Sequence, residues 1–146
     1  MEKDIIIKKI YLICLFIIWG LASSTVYAVE IIMHPSVKAQ VLTTSQLRRI
    51  YTMRQIHWAD GHRITVFTLP RKHALHLHFS KERLQMFPYQ LDRIWNKLTY
   101  SGMGVAPITV SSPQELLNAV RTTPGAIGYV ETVKDEELVS VVEITD

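Results

Sequence analysis

The residues of this chain best suited to chemistry are basic and clustered. Pro70 is followed by Arg71, Lys72 and His73, at the point where a β-branched run gives way to a helical pattern. If the helix starts near Arg71, its free N–H groups and dipole favour an anion there, and the three side chains add positive charge. Ser36, just past an apolar run, supplies a hydroxyl, and Ser101-Gly102 offers open backbone N–H groups. The candidate ligand-binding set is therefore Ser36, Arg71, Lys72, His73, Ser101 and Gly102, and its chemistry is that of holding a small anion.

Other chemistries fit less well. Six histidines, His34, His57, His62, His73, His76 and His78, invite a metal reading. On a helix His73 and His76 share a face while His78 points elsewhere. Zinc wants further ligands in reach, and no spacing here requires them, so the histidines are expected at the surface with no metal site. Cys14 is the only cysteine. Ser36, Ser80, Ser101 and Ser111 lie in no nucleophile-elbow context. Asp60 is explained by a turn rather than by pairing with Glu82. Trp58 and Trp95 are expected in the core. No enzyme and no cofactor is implied.

The elements that must position the basic cluster follow from pattern. Val29 to Met33 is a buried strand ended by His34-Pro35-Ser36. Thr44 or Ser45 caps a short helix with Leu47, Ile50 and Tyr51 on its apolar side. Asp60-Gly61 marks a turn before a strand over Ile64 to Thr68. Arg71 to Met86 is predicted helical through Leu75, Phe79 and Leu84. A second helix starts at Pro88, carries Leu91, Ile94, Trp95 and Leu98, and ends at Gly102. Pro107 to Val110 reads as a strand, and Ser112-Pro113-Gln114-Glu115 as a capping box opening a helix through Leu116, Leu117 and Val120. Thr123-Pro124-Gly125 stops that helix. Ala126 to Val130 and Leu138 to Ile144 are strands separated by an acidic turn at Asp135-Glu136-Glu137. Gly128 is expected to permit close packing within its strand. The fold class is α/β, a mixed sheet with flanking helices.

The first 28 residues stand apart. Lys3, Lys8 and Lys9 outweigh Glu2 and Asp4, an apolar run follows from Tyr11 to Ala22, and Val26-Tyr27-Ala28 resembles a signal-peptidase site. That run is short for a membrane span, so a signal peptide over residues 1–28 is predicted to be cleaved after Ala28. Bulky Tyr11, Leu12 and Ile13 before Cys14 argue against lipid attachment. What remains is 118 residues, one domain over 29–146, without cysteine and placed in the periplasm. Lys38 to Lys97 holds eleven Lys and Arg against three acids, whereas Glu115 to Asp146 holds two basic and seven acidic residues. Export excludes nucleic acid as partner, leaving small anions, acidic lipids or an acidic protein surface.

Several of these segments, in order, look like a known series. Leu47-Arg48-Arg49-Ile50-Tyr51, then Trp58-Ala59-Asp60-Gly61, then a strand, then Thr123-Pro124-Gly125-Ala126-Ile127-Gly128-Tyr129-Val130 resemble phosphate-type substrate-binding proteins of ABC transporters. The resemblance covers roughly Ser45 to Glu131 and is closest to short, single-lobe members. It implies one lobe of a type 2 periplasmic binding protein, a non-enzymatic role, and a phosphate-like oxyanion as ligand, with a membrane permease or a second protomer as partner. In the family a Ser-Gly-Thr segment after the second strand holds the oxyanion. Here Pro70 to Leu75 reads Pro-Arg-Lys-His-Ala-Leu, which lacks that hydroxyl cradle. The competing reading is an interaction or sensory accessory protein that keeps the fold without a small ligand. A single lobe cannot bury an anion on all sides, so tight binding needs another protein to supply the missing wall.

Overall fold

A computed structural model describes residues 28–38, 41–132 and 139–146, together with Met1, Lys3 and residues 5–7. The predicted signal-peptide run and its cleavage site lie almost wholly outside the described residues, as does the acidic turn at 135–137. No helix among the described residues is long and apolar enough to cross a membrane.

Six strands, β1 (Glu30–Met33), β2 (Val41–Thr43), β3 (Thr65–Thr68), β4 (Ile108–Thr109), β5 (Ala126–Val130) and β6 (Ser140–Thr145), form one sheet in the order β2-β6-β1-β5-β3-β4. β1 runs antiparallel to both β5 and β6, with Met33 opposite Ile127, while β3 is parallel to β5 and to β4. β2 is parallel to β6 at the other edge. β2 was not expected: three residues are too few to show alternation, and its partner lies a hundred residues away. β4 is shorter than the predicted Pro107 to Val110.

The helices are α1 (Thr44–Tyr51), α2 (Ala74–His78), α3 (Pro88–Ser101) and α4 (Pro113–Thr122). Gly128 sets the position of α4. A Cβ at that residue would come within 2.5 Å of Leu116 Cδ2 and 2.8 Å of Val120 Cγ2, so α4 lies flat on the sheet only because the strand has no side chain there. Side chains alternate along a strand, so neighbouring Tyr129 points to the opposite face. There it stacks on Phe79, with ring centroids 3.9 Å apart, and meets Tyr51. The connection β3-α2-α3-β4 therefore packs on one face, and β4-α4-β5, which crosses back over β3, packs on the other. Right-handed crossovers running in opposite directions require this arrangement.

Two predicted helix starts shift, and at a third the capping contacts are rearranged. α1 is capped by Thr43, whose side chain accepts from Gln46 N–H while Gln46 accepts from Thr43 N–H, so the capping box sits one residue before the predicted caps. At α4, Ser112 caps as predicted, but Glu115 reaches past it to the N–H and hydroxyl of Ser111. α2 begins at Ala74 rather than Arg71, because Pro70 to His73 closes a turn through the His73 N–H to Pro70 O bond of 2.9 Å.

α2 also changes pitch. Phe79–Arg83 is a π-helical turn, with Leu84 N–H donating to Phe79 O at 3.2 Å. The apolar residues Leu75, Phe79 and Leu84 are spaced by four and then five. The wider turn brings Leu84 back to the buried side, and all three are fully buried.

Candidate functional site

In an open α/β sheet, ligands bind outside the carboxyl ends of strands, where neighbouring connections leave for opposite faces. β3 and β4 are such a pair. From β3 the chain passes through Leu69 to His73 into α2 on one face, and from β4 through Val110 to Ser112 into α4 on the other. The two loops are tied by Val110 N–H to Thr68 O, 2.9 Å. Arg71, Lys72 and His73 thus follow β3, and Ser111 and Ser112 follow β4, at this end of the sheet.

Most polar groups here already have partners. His73 Nδ1 accepts the Leu75 N–H at 3.2 Å and thus caps α2. Arg71 pairs with Asp92 in the second turn of α3 at 3.1 Å. Glu115 accepts from Ser111, whose hydroxyl and N–H hold its carboxyl below the usual carboxylate range. Lys72 is exposed and makes no ion pair among the described residues.

Behind the loop lies a buried polar cluster that the sequence reading missed. His76, expected at the surface, is fully buried. Its Nδ1 is 2.6 Å from the Tyr129 hydroxyl and 3.2 Å from Thr68 Oγ1, and its Nε2 is 3.4 Å from Ser80 Oγ. Leu69 N–H donates to the Tyr129 hydroxyl at 2.9 Å, so the first residue of the loop is fixed from behind. Burial holds the imidazole down to a pKa of about 4; the Asp92 charge acts against this and His73 with it. His76 is therefore neutral, with Nδ1 accepting from Tyr129 and Nε2–H facing Ser80. Burial likewise raises the Tyr129 phenol. One signal was available: His76 sits between Leu75 and Phe79, inside the apolar stripe of its helix.

Ser36 lies at the other end of the sheet. Its hydroxyl accepts Gly125 N–H at 3.2 Å and is 2.8 Å from His34 Nδ1. Since Met33 pairs with Ile127 and Thr65 with Ala126, this end is separated from Arg71 by the length of β3, roughly 13 Å. A cavity of about 290 Å³ opens beside it, lined by Ser36, Trp58, Asp60, His62, Thr65 and Gly125 among others. Ser101 and Gly102 close the carboxyl end of α3. Gly102 N–H donates to Thr99 O and Ser101 Oγ to Leu98 O, so this terminus presents carbonyls rather than the open N–H groups expected. The six sequence candidates thus fall into three places: Ser36 at one end of the sheet, Arg71, Lys72 and His73 after β3, and Ser101 and Gly102 at the end of α3. No cluster of three or more metal-ligating side chains occurs among the described residues.

The architecture matches a lobe of the type 2 periplasmic binding fold. The solved structure of an ABC-type phosphate transport receptor from Vibrio cholerae is similar at a TM-score of 0.61 and 16% identity, over 82% of this chain and 47% of that one. A phosphate ABC transporter substrate-binding protein from Clostridium perfringens, solved with bound phosphate, gives 0.64 and 20%, over 80% and 44%. PstS from Borrelia burgdorferi gives 0.59 and 18%, over 82% and 47%. At these identities the fold is what is shared, and this chain spans less than half the length of each. No family model matches the sequence, and no curated protein matches it.

Proposed function

We propose that the chain acts in the periplasm, after removal of residues 1–28, as a non-enzymatic, single-lobe binding-type domain for an oxyanion of the phosphate class. Arg71, Lys72 and His73 border its site. The observation that supports this is topological: the three basic residues follow the carboxyl end of β3, where the connections after β3 and β4 leave for opposite faces of the sheet. Ser36, Ser101 and Gly102 have no part in it. The site has one lobe behind it and solvent in front, so a permease or another protein provides the opposing wall.

One observation favours the second reading, an accessory protein without a small ligand. His73, Asp92 and Glu115 already occupy groups that would otherwise meet an anion. Thermal unfolding separates the two readings, using protein expressed from its complete reading frame and purified from the extracytoplasmic fraction. Millimolar phosphate, sulfate and molybdate are compared with chloride. Binding raises the midpoint, since about tenfold excess over Kd adds roughly 1.4 kcal/mol to the native state. No rise with any of the three supports the ligand-free accessory. The mass of the same purified protein tests the leader, with Val29 as the expected first residue.

A further inference from the structure

The helical layer on the Tyr129 side of the sheet is predominantly basic. Tyr51 and Phe79 bring α1 and α2 against Tyr129, and Trp95 Nε1 donates to Tyr51 O at 2.8 Å, which adds α3 to the same layer. α1 and residues 74–101 hold six Lys and Arg against Glu82 and Asp92. Both acids are engaged: Glu82 lies 3.2 Å from His78, and Asp92 3.1 Å from Arg71. From residue 83 to residue 114 Asp92 is the only acidic residue. By contrast α4, on the other face, balances Glu115 with Arg121.

α3 carries a stripe of a second kind on its outer side. At about 100° per residue, Tyr89, Arg93, Lys97 and Tyr100 fall within about 80° of arc, roughly opposite Leu91. Leu91 is fully buried, whereas Tyr89 is 61% and Tyr100 88% exposed. Arg93 and Lys97 are exposed too, and neither makes an ion pair among the described residues. Phe87, the N-cap residue, is 54% exposed and stacks on Tyr89 with ring centroids 5.8 Å apart. An aromatic pair thus stands at one end of the stripe, two cations in the middle and a tyrosine at the other end. Leaving three rings in water contributes nothing to the stability of the monomer.

We propose that this stripe docks the protein on a membrane surface that carries anionic lipid headgroups. Arg93 and Lys97 meet lipid phosphates, while Phe87, Tyr89 and Tyr100 enter the boundary between headgroups and acyl chains, where aromatic side chains are favoured. Charge selects a negative surface, because the acids of this layer are already paired and its cations outnumber them. Shape selects lipid over an acidic protein. The side chains stand out from a convex helix, and a fluid headgroup layer takes them up without a preformed pocket. A protein partner would need cavities matched to each ring. Docking uses only groups that already face solvent, so the fold is unchanged by it. It does not rest on the oxyanion reading either, since Arg71, held by Asp92, lies outside the stripe.

Co-sedimentation of the extracytoplasmic protein with vesicles tests this, comparing phosphatidylglycerol mixed into phosphatidylcholine with phosphatidylcholine alone. Binding is expected to the anionic vesicles only, and it should fade toward about 1 M salt, where the Debye length is roughly 3 Å. Each Lys or Arg near such a surface contributes about fivefold, so Arg93→Glu, which also reverses the charge, should weaken binding by at least about tenfold. Tyr100→Ser should weaken it roughly fivefold through lost apolar contact. Arg121→Glu makes the same charge change on α4, behind the sheet, and should alter binding by less than about twofold. All three positions are exposed, so circular dichroism and unfolding midpoints should stay near those of the parent. No binding to the anionic vesicles overturns the proposal and leaves an acidic protein as the occupant. Equal binding to both kinds of vesicle also overturns it, as does binding that survives Arg93→Glu and Tyr100→Ser in folded protein, or that Arg121→Glu weakens as much.

Discussion

The two ends of the sheet are built on opposite plans. At the end where β1 finishes and β5 begins, backbone and side chains close on one another: Trp58 Nε1 donates to Gly125 O at 3.0 Å, Gly125 N–H to Ser36, and His34 N–H to Ala126 O at 3.0 Å. At the carboxyl end of β3 and β4, the side chains of Arg71 and Lys72 stand in solvent and bear little load. The Trp-Ala-Asp-Gly and Pro-Gly-Ala-Ile-Gly-Tyr-Val segments, which carry the resemblance, tie the backbone together at the first end, beside the cavity lined by Ser36, Trp58 and Gly125. The segment that departs from the family pattern borders the second. What resembles the phosphate-binding proteins is thus chiefly the framework, and the loop from Pro70 to Leu75 is where this chain differs.

Breaking the closed end should have the largest effect. Gly125 sits at φ +76°, and a Cβ there would lie 2.5 Å from Arg63 O. Gly125→Ala is expected to cost about 3 kcal/mol or more, since left-handed strain and a clash with backbone act together. Denaturant unfolding checks this; a loss under about 1 kcal/mol would mean that the Trp58–Gly125 junction yields easily.

The next effect tests what supports the open end. His76 is neutral in the fold, at about 4 against its ordinary 6.5, so the unfolded chain binds the extra proton between those values. This contribution is complete above pH 6.5 and is lost as pH falls toward 4, on the order of 3 kcal/mol in all. Unfolding free energies between pH 7.5 and 5 should therefore decline. Asp60 and Glu115 have carboxyls held low by hydrogen bonds from His62 and Ser111, and they protonate only below that window. A flat profile would show that His76 is not buried in its neutral form.

These two sites mark what the sequence disclosed and what it did not. Ser112, Pro113 and Gly102 were legible because caps and helix ends are local chemistry. Gly128 was legible because glycine in a strand asks for a close neighbour. The start of α2 was not, because whether Arg71 or Ala74 opens the helix depends on a turn through Pro70 and on His73 serving as a cap. His76 was missed because its partners, Thr68 and Tyr129, come from two strands adjacent only in the folded sheet. The candidate set merged Ser36 with Arg71 for a related reason: both follow strands, and only the antiparallel pairing of β1 with β5 places them at opposite ends.

Ser36→Ala sharpens that separation with a smaller effect. It removes the acceptor for Gly125 N–H and should cost about 1 kcal/mol, a typical price for one partly buried hydrogen bond. Any midpoint rise given by phosphate should keep its full size in this variant. Loss of that response would return Ser36 to the ligand site.

Lys72→Ala should move stability least, within about 0.5 kcal/mol, since the ammonium is exposed and has no ion-pair partner among the described residues. Arg71→Ala forfeits only a surface pair with Asp92, worth under about 1 kcal/mol. Yet if the loop after β3 receives an oxyanion, this nearly silent pair of substitutions should abolish the phosphate-dependent rise in midpoint. Arg71→Lys, which keeps the charge but not the planar fork, should retain part of it. A rise that persists in the double alanine variant would move the anion away from this loop. The contrast between the two ends would then lose its functional meaning while its structural basis stood.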